Sequence, residues 1–511
     1  MSGAKKTTLF VPADVNGSML LVSIDVALWL HKIDDYKIVT IKCISNYNIF
    51  NLFSLLLRLK NIFSYLTLIK IKKLMKFFNS KLKKEKISEL ASFVTGKIDH
   101  SSLIIDDLEI KFIRLKSKNQ FSIVNFLTLN YRVITDYLNY FSKSALNSKA
   151  YLEYQVNDIY AGLHVLSEAL RSDYRSCGSI FYCRIGILTA LYKLHSCITL
   201  YKNISLSKES VSFMCDIDSE YIYGFFARFM SDRRVCYIEA NNMQKPYIKR
   251  YLKEKYYSRL NIFDADNDSL VIDRKKISQY YKERIDKPWK VFRKKKENYS
   301  SNKELTNLKG TTVIIYLHSF TDAQYMFGYD GYHDLMDWSL STISILNSNE
   351  HIMKIIVKPH PDSDSKYHPG DTISNKYLKS KISGFSKVQW ADFHFDVNHI
   401  TSKGLVIGIT HHGSVAEELV FNKIPVIASA YAPWGGEYKF GYFWKDVKEY
   451  QTLISGNSIT KLEVTKTHTD ELNRYAMDKY FALNPKVRFD DSSAWQDMLK
   501  IHRIKNTGEH D

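Results

Sequence analysis

The chain has 511 residues and a mass of 59.6 kDa, too long for one ordinary hydrophobic core, so two domains with additions are expected. Its hydrophobic fraction of 45% and charged fraction of 25% are those of a globular protein and exclude a disordered chain. The formal net charge of +18 excludes an acidic surface and fits acidic substrates, nucleic acid or anionic lipid as partners.

The first half predicts an α/β unit that carries a helical elaboration. A strand at 7–11, a helix from about 18 to 31 and a strand at 37–44 begin it, and a strand–helix–strand unit follows at 212–215, 221–230 and 235–239. Residues from about 50 to 150 are expected to be a helical insertion. The sequence therefore predicts an N-terminal Rossmann-like domain over residues 1–286.

The stretch from residue 50 to residue 78 is apolar but interrupted by basic residues, at Arg58, Lys60, Lys70, Lys72 and Lys73. No window of about twenty uncharged apolar residues exists there, so a membrane-spanning helix is not expected. Two interpretations stay open, a basic amphipathic helix on a membrane surface and a core helix with a basic outer face.

The second half predicts another α/β unit. Residues 287–310 are polar and charged without apolar periodicity, which indicates an interdomain linker. Four apolar strands follow at 312–317, 355–357, 405–409 and 426–428, with helices predicted at about 332–346 and from residue 415. This pattern predicts a doubly wound domain over 311–470 and a helical tail over 471–511, with ligands bound in the cleft between the two domains.

Two polar loops in the second unit predict a site for a phosphorylated ligand. His411-His412-Gly413-Ser414 follows a buried strand and precedes a helix that starts at Val415, so backbone N–H groups and a positive dipole end face the loop. The alternative is a simple N-cap by Ser414. Glu418 lies one turn into the helix, within reach of a ribose hydroxyl, whereas Glu417 is expected to be solvated.

A second loop, Lys358-Pro359-His360-Pro361, ends a neighbouring strand. The prolines hold it extended, which predicts that His360 projects into the cleft and that Lys358 adds positive charge. There His360 would neutralise or protonate a leaving phosphate, and the alternative is a turn residue without a ligand.

His318 and Asp322 end the first strand of the second unit and are aimed at the same cleft. Asp322 is a candidate nucleophile or general base, and the alternative is a cap of the following turn. Asp216 and Asp218 follow a strand of the first unit with the spacing of an Asp-x-Asp metal site. That pattern recurs elsewhere in the chain, so we expect no metal. Interleaved Tyr and Lys at 247–256 form no recognised nucleic-acid module, and nucleic acid is not expected as a partner.

The second unit resembles the donor-binding half of bacterial capsule and surface-polysaccharide glycosyltransferases of the GT-B type. This group includes transferases that use CMP-activated Kdo and related ulosonic acids. The similar segments are the His-Pro motif, the Gly-Ser loop with its helix, the apolar turn after it, a His-x-Phe-x-Asp strand end and a Trp-x-x-x-Thr helix, at Lys358–Pro361, Gly413–Glu418, Ile424–Ile427, His318–Asp322 and Trp338–Thr342.

In the first unit, the segment from Asp158 to Gly162 and on to Leu170-Arg171 is similar to the family's Gly-Ile-x-x-Gly…Leu-Arg segment. Two positions depart from the family pattern. Asp158 stands where the family has glycine, and the usual Gly-Lys-Pro turn reads Lys423-Ile424-Pro425.

The resemblance implies a GT-B fold of two Rossmann-like domains facing a cleft, and an enzyme that needs neither a cofactor nor a metal. By resemblance, His360 and Ser414 bind the donor phosphate and Asp322 is the carboxylate at the reacting carbon, with Asp216 or Asp218 as the second choice. The other expected donor-binding residues are His318, Lys358, His411, His412, Gly413 and Glu418.

The implied substrates are a nucleotide-sugar donor and a lipid-linked or oligosaccharide acceptor of a surface glycan. The first residues lack the pattern of a signal peptide, and the six cysteines form neither a CxxC pair nor a metal-type spacing. We therefore expect a reduced, cytoplasmic protein, with peripheral contact to an anionic inner membrane. Two rivals are a polyol-phosphate transferase that uses CDP-glycerol and a non-catalytic assembly protein of the same fold.

Overall fold

The structure is a computed structural model, and every structural statement below concerns the residues that it describes. These are residues 6–11, 26–27, 30–31, 37–44, 100–105, 108–115, 123–202, 212–216, 221–231, 235–241, 244–249, 273–286, 306–308, 310–322, 324–325, 327–361, 363, 369–391, 401–402, 404–435 and 438–477.

The strands in chain order are β1 (Lys6–Val11), β2 (Ile38–Ile44), β3 (His100–Ile105), β4 (Leu108–Leu115), β5 (Gln155–Val156), β6 (Ile159–Tyr160), β7 (Ser212–Asp216), β8 (Val235–Asn241), β9 (Gln244–Lys249), β10 (Thr306–Leu308), β11 (Thr312–Tyr316), β12 (Lys354–Lys358), β13 (Val388–Trp390), β14 (Thr401–Ser402), β15 (Val406–Thr410), β16 (Val426–Ser429) and β17 (Tyr442–Trp444).

The α-helices are α1 (Ile123–Asp136), α2 (Lys143–Asn147), α3 (Gly162–Ser172), α4 (Arg184–Lys202), α5 (Ile222–Ser231), α6 (Arg274–Asp286), α7 (Leu335–Ser348), α8 (Pro369–Ile382), α9 (Val415–Phe421), α10 (Val447–Ile454) and α11 (Lys466–Ala476). A π-helical turn at Tyr137–Phe141 extends α1, and short 3₁₀ turns lie at Ala150–Glu153, Tyr174–Ser176 and Ser458–Lys461.

The first sheet has the order β3-β4-β2-β1-β7-β8-β9. Its five inner strands run parallel, and β3 and β9 add antiparallel edges through hairpins. The predicted helical insertion over 50–150 is therefore wrong for residues 100–115. The alternating burial of Leu108, Ile110 and Phe112 is the period-2 signal of a strand, and the helical interpretation overlooked it. Residues 51–99 lie outside the described part of the chain.

Helices α1 to α5 form a helical body with its own core, which extends the elaboration well beyond residue 150. Tyr325, from the loop after β11, is buried in this core. The loop between β11 and α7 in the second half of the chain therefore packs into the core of the first half.

The second sheet has the order β13-β12-β11-β15-β16-β17, and all its strands are parallel. Counted in chain order within the sheet this is 3-2-1-4-5-6, the order of a Rossmann fold. Tyr316 at the end of β11 is in register with Lys358 on one side and Thr410 on the other. These three strands therefore end at the same level, and the strand order reverses between β11 and β15.

Helix α6 was grouped with the first domain by sequence, yet it packs on the core of the second. Its Ile277 and Tyr281 are buried there, and the Tyr281 hydroxyl donates to Glu417 Oε2 at 3.1 Å. The prediction that Glu417 is solvated is wrong, because the residue is 0% exposed. Helix α9 is covered by α6 and α11 on the side away from the sheet, so its outer face is buried as well.

The predicted linker and tail both carry structure at their described ends. Residues 306–308 form β10, which pairs with β14, and α11 begins at Lys466 with a capping box between Thr465 and His468. No helix among the described residues is long and apolar enough to cross a bilayer.

Candidate functional site

Three imidazoles meet where β11, β12 and β15 end. The ring centroid of His318 lies 4.0 Å from that of His412 and 5.5 Å from that of His360. The level strand ends explain this meeting, because each histidine follows its strand by two residues. The loops that the sequence predicted to share one cleft do lie together, at the switch point of the sheet.

His411 is held from behind by a buried carboxylate. Its Nε2 lies 2.8 Å from Asp330 Oδ2, and both side chains are buried. The same carboxylate oxygen accepts from Trp444 Nε1 at 3.2 Å and from Ser429 Oγ at 3.3 Å, and Asp330 Oδ1 accepts from the Tyr332 N–H. Burial alone would raise the pKa of Asp330, but His411 and these donors hold it below its ordinary value. Asp330 is therefore an anion at neutral pH.

His412 stands beside His411 in the centre of the cluster. Its Nδ1 is 2.7 Å from His411 Nδ1, and its Nε2 is buried with no hydrogen-bond partner among the described residues. Burial, followed by the repulsion of His318, His411 and His360, lowers the pKa of His412 well below its ordinary value. Burial likewise lowers the pKa of His318. Both imidazoles are therefore neutral at pH 7.

Lys358 lies beneath its loop. It is buried, with Nζ 3.4 Å from the carbonyl of Pro359 and 5.9 Å from the centroid of the Tyr316 ring. His360, two residues later, is half-buried at the rim of the cluster. The proline-held loop thus presents the imidazole and keeps the lysine underneath.

The N-terminus of α9, at the Gly-Ser loop, offers fewer free N–H groups and a smaller dipole to an anion than the sequence predicted. Helix α9 has seven residues, about two turns, so its summed dipole is small. The N–H groups of Ala416 and Glu417 already bond to the carbonyls of Gly413 and Ser414. Ser414 is exposed and its side chain forms no cap hydrogen bond, so the alternative that Ser414 acts as a simple N-cap is wrong. A Cβ on Gly413 would lie 2.7 Å from Thr410 Oγ1, so a larger residue would force the Thr410 side chain to move.

Asp322 lies against residues of the first half of the chain. The Tyr221 hydroxyl donates to Asp322 Oδ1, and Arg171 Nη1 lies 3.8 Å from the same oxygen. The Arg171 guanidinium stacks over the Tyr221 ring at 4.3 Å. The carboxylate stays partly exposed, with 39% of its side-chain surface open. Asp322 is thus held at the junction of the two halves, oriented and solvent-accessible.

For the remaining candidate residues, Asp216, Asp218 and Glu418, the structure gives at most a position in the chain or a degree of burial. Asp216 is the last residue of β7, at the carboxyl edge of the first sheet, while Asp218 lies outside the described residues. Glu418 is half-buried on α9. Among the described residues, no group of three or more His, Cys, Asp or Glu side chains has the arrangement of a metal site.

Large side chains behind the cluster fix its rings. Trp338 is fully buried with its ring edge-on to His411 at 5.5 Å, and Trp444 packs on the same imidazole at 5.9 Å. Thr342 Oγ1 bonds to the Trp338 carbonyl and to the Tyr450 hydroxyl, both at 2.7 Å. The Trp-x-x-x-Thr pattern therefore supports the site from the core.

Sequence reasoning missed Asp330, Tyr221 and the contact of Arg171 with Asp322. A signal for Asp330 was present, because it sits between Gly328 and Gly331, which adopt positive φ angles of 130° and 106° in a loop after a strand. Arg171 belongs to the family-like Leu-Arg segment, but no sequence signal indicated that it or Tyr221 contacts Asp322, since both contacts span more than one hundred residues.

The two departures from the family pattern fall at left-handed backbone positions. Asp158, in the two-residue hairpin turn between β5 and β6, has a φ of 63°, and so does Lys423 after the end of α9. Glycine adopts this conformation without strain, and other residues pay about 1–2 kcal/mol. The structure thus keeps the backbone that glycine would favour.

No protein-family model matches the sequence, and no curated protein matches it. Solved structures that align along nearly the whole chain include two related to trehalose 6-phosphate. One is described as trehalose-6-phosphate from E. coli bound with UDP-2-fluoro glucose, at 10% identity over 97% of this chain and 98% of that chain, with a TM-score of 0.29. The other is alpha,alpha-trehalose 6-phosphate synthase from Burkholderia multivorans, at 10% identity over 98% of each chain, with a TM-score of 0.29.

A third is a UGT transferase from Siraitia grosvenorii in complex with UDP, at 9% identity over 98% of this chain and 99% of that chain, with a TM-score of 0.19. At these values the fold rests on the strand orders of the chain itself. Two open, mainly parallel sheets, each with a point where the strand order reverses, confirm the α/β class with two Rossmann-like units that the sequence predicted.

Proposed function

We propose that this protein is a glycosyltransferase that takes its sugar from a nucleotide-activated donor. The observation that carries the proposal is the imidazole cluster of His318, His360 and His412 at the switch point of a 3-2-1-4-5-6 sheet. Ligands of such sheets bind in the crevice beyond the strand ends. In the loop that follows His318, Asp322 is held by Arg171 and Tyr221 of the other half, so a carboxylate lies beside the proposed anion site.

The imidazoles suit the phosphate of a nucleotide. His360 donates an N–H bond to a phosphate oxygen from the rim, His412 turns its buried Nε2 to the same ligand, and Lys358 below adds positive charge. The loop that contains His411, Gly413 and Ser414 lies at the same end of the sheet, between β15 and α9. Donors fixed where charge develops on the departing phosphate lower the barrier, because they need no reorganisation during the reaction.

Asp322 is the proposed carboxylate at the reacting carbon. The acceptor hydroxyl oxygen attacks the anomeric carbon, the bond from that carbon to the phosphate oxygen breaks, and the hydroxyl proton passes to Asp322. Tyr221 and Arg171 orient the carboxylate for this role. Asp216 and Asp218 remain the second choice.

The resemblance supports a finer proposal for the substrates. The donor is CMP-activated Kdo or a related ulosonic acid, and the acceptor is a growing capsule, O-antigen or other surface glycan on the cytoplasmic face of the inner membrane. The basic character of the chain fits an anionic donor and an acceptor anchored among anionic lipids.

A panel of nucleotides tests the donor site. Isothermal titration with CMP, CDP and UDP is expected to show binding of at least one, and His360→Ala should weaken it about tenfold or more, since a hydrogen bond to a charged group is lost. His351→Ala is the matched control, because His351 precedes β12 and His360 follows it, at opposite ends of one strand. Equal losses in both variants, or no nucleotide binding, would contradict the proposal; the second result favours a non-catalytic assembly protein.

Mass spectrometry of products from CMP-Kdo, a UDP-hexose and CDP-glycerol identifies the transferred group. Transfer of Kdo supports the finer proposal, and transfer of a hexose supports glycosyl transfer with another donor. Transfer from CDP-glycerol alone would replace the proposal with a polyol-phosphate transferase.

An exposed apolar stripe supports the proposed contact with an anionic membrane. Leu127, Tyr131, Ile134 and Leu138 recur at helical spacing along α1 and its π-helical extension, and each is between 53% and 72% exposed. Exposed Arg132 lies on the same helix, and the chain carries a net charge of +18. An apolar stripe that includes a tyrosine, on a basic protein, fits the interface of a bilayer with anionic lipid.

Vesicle sedimentation checks this contact. The double variant Leu127→Asp/Ile134→Asp is expected to bind vesicles with anionic lipid at least about tenfold more weakly than the unchanged protein, because each inserted side chain contributes about 1.5–3 kcal/mol. Met353→Asp, at an exposed apolar position of the second half, should bind as before. Unchanged binding by the double variant would contradict the membrane contact.

A further inference from the structure

Asp330, His411 and His412 form a continuous hydrogen-bonded chain. Asp330 Oδ2 lies 2.8 Å from His411 Nε2, and His411 Nδ1 lies 2.7 Å from His412 Nδ1. The chain ends at His412 Nε2, which is buried without a hydrogen-bond partner among the described residues, in a side chain that is 5% exposed. A buried polar atom without a hydrogen-bond partner costs free energy. We therefore expect a ligand atom to form a hydrogen bond with His412 Nε2.

The geometry links the proton on His412 to the charge of His411. The Asp330 carboxylate requires a proton on His411 Nε2, and the two Nδ1 atoms share one proton between them. If His411 is neutral, that proton belongs to His412 Nδ1, and His412 Nε2 carries only a lone pair. If His411 is protonated, it donates from Nδ1, and the single proton of His412 resides on Nε2.

We propose that binding of a phosphate draws a proton onto His411, so that His412 presents Nε2–H to a phosphate oxygen. This inference rests on the proposed nucleotide-sugar site and names how that site is protonated. Asp330 and His411 are then positioning residues, and His412 touches the substrate. An anion selects this state, because the lone pair of the other state would repel it.

The same chain moves a proton when the phosphate departs. The bond between the anomeric carbon and the phosphate oxygen breaks, and its electron pair stays on that oxygen. The oxygen takes the proton from His412 Nε2 while His412 Nδ1 takes the proton from His411 Nδ1. His411 ends neutral, still donating Nε2–H to Asp330, and no other reactant is needed.

The charges around the chain favour His411 as the place where the proton is held. Burial and the neighbouring histidines keep the pKa of His412 far below its ordinary value, so His412 itself does not hold two protons. Beside His411 lies the Asp330 carboxylate, a buried anion that an imidazolium compensates. Within the described part of the chain, the other titratable groups that act on the pair are His318, His360 and, through His318, Asp322.

Isothermal titration calorimetry measures how many protons the protein takes up when it binds the nucleotide. The nucleotide that binds best among CMP, CDP and UDP is titrated at pH 8 in PIPES, HEPES and Tris, and the dependence of the heat on the buffer's ionisation enthalpy counts the protons taken up. We expect uptake approaching one proton per nucleotide. The unchanged protein gives this result without any variant, so folding of a variant does not limit it.

Two variants separate positioning from packing. Asp330→Asn and His411→Gln are each expected to abolish the proton uptake and to weaken nucleotide binding about tenfold to a hundredfold. Loss of packing alone would weaken binding and leave the uptake unchanged, which would overturn the inference. Binding by the unchanged protein without uptake would also overturn it and leave the proposed function standing. Absence of any nucleotide binding would overturn both.

Discussion

Asp322→Asn is expected to lower kcat about 10²–10⁴-fold while leaving nucleotide affinity nearly unchanged. An amide keeps the shape of the side chain and still accepts from the Tyr221 hydroxyl, but it takes no proton from the acceptor. Because Asp322 lies against the first half of the chain and the imidazoles occupy the sheet end, the loss should fall on the chemical step. Steady-state kinetics with the donor identified by product analysis, together with nucleotide titration, measures the two effects separately.

Arg171→Gln is the matched control for this substitution. It removes a cation 3.8 Å from the carboxylate but leaves the carboxylate in place. We expect a smaller loss of kcat than in Asp322→Asn and a shift of the acidic limb of the pH–rate profile to higher pH, since a nearby cation favours the ionised carboxylate. Full activity of Asp322→Asn would exclude Asp322 as the proton acceptor and turn attention to Asp216 and Asp218.

Asp334→Ala is expected to lower the free energy of unfolding by about 3–5 kcal/mol. Asp334 Oδ1 caps α7 through the Asp337 N–H at 2.8 Å. Its Oδ2 accepts from Ser179 Oγ at 2.9 Å and from the Ile180 N–H at 3.0 Å, in the other half of the chain. Alanine would leave these buried donors unpaired and remove the cap, and denaturant titration measures the loss.

Asp446→Ala is the control for the cap alone. Asp446 caps α10 through the Glu449 N–H at 2.9 Å, but it is exposed. Its loss should cost about 1 kcal/mol. Equal losses for the two variants would show that the bonds from Asp334 to Ser179 and Ile180 add nothing to stability.

The pH dependence of the Asp334 contribution has a definite sign. Burial raises the pKa of Asp334 to about 6, above its ordinary value of 3.8. Between these values the folded protein binds a proton that the unfolded chain does not, so this group adds stability as the pH falls through 6 and loses it as the pH rises. His318 and His412 act in the opposite direction below about pH 6.5, because their pKa values are lowered.

Comparison with Asp334→Asn isolates the carboxyl group, since the histidines are common to both proteins. From pH 7 to pH 5 the unchanged protein should gain about 1–1.5 kcal/mol relative to the variant. A difference that stays constant over this range would mean that the pKa of Asp334 is not raised.

The sequence predicted the second sheet well because its signals are local. The buried strands are short runs of β-branched residues, such as Thr312–Tyr316 and Val406–Thr410, and each ends at a polar loop. It failed on residues 100–115, where a period-2 strand such as Leu108–Leu115 was overlooked within a region assigned to helices. Helix α6, which the sequence prediction assigned to the first half of the chain, packs on the core of the second half.

The candidate site shows the same division. Apolar runs followed by His318, His360 and His412 predicted that these residues end parallel strands, and parallel strands place their ends at one edge of a sheet. What the sequence could not predict were the partners that determine their chemistry. Asp330 reaches His411 from a loop 81 residues earlier, and Tyr221 reaches Asp322 across 101 residues.

The sequence by itself therefore determined the two α/β units of this protein and the histidines at the strand ends, because strand periodicity and loop composition are properties of neighbouring residues. Only the tertiary structure decided which imidazole faces a carboxylate, which one has a buried nitrogen that no described residue contacts by a hydrogen bond, and why Glu417 is buried. Protonation and burial depend on groups that are distant in the chain and become neighbours only when the layers pack.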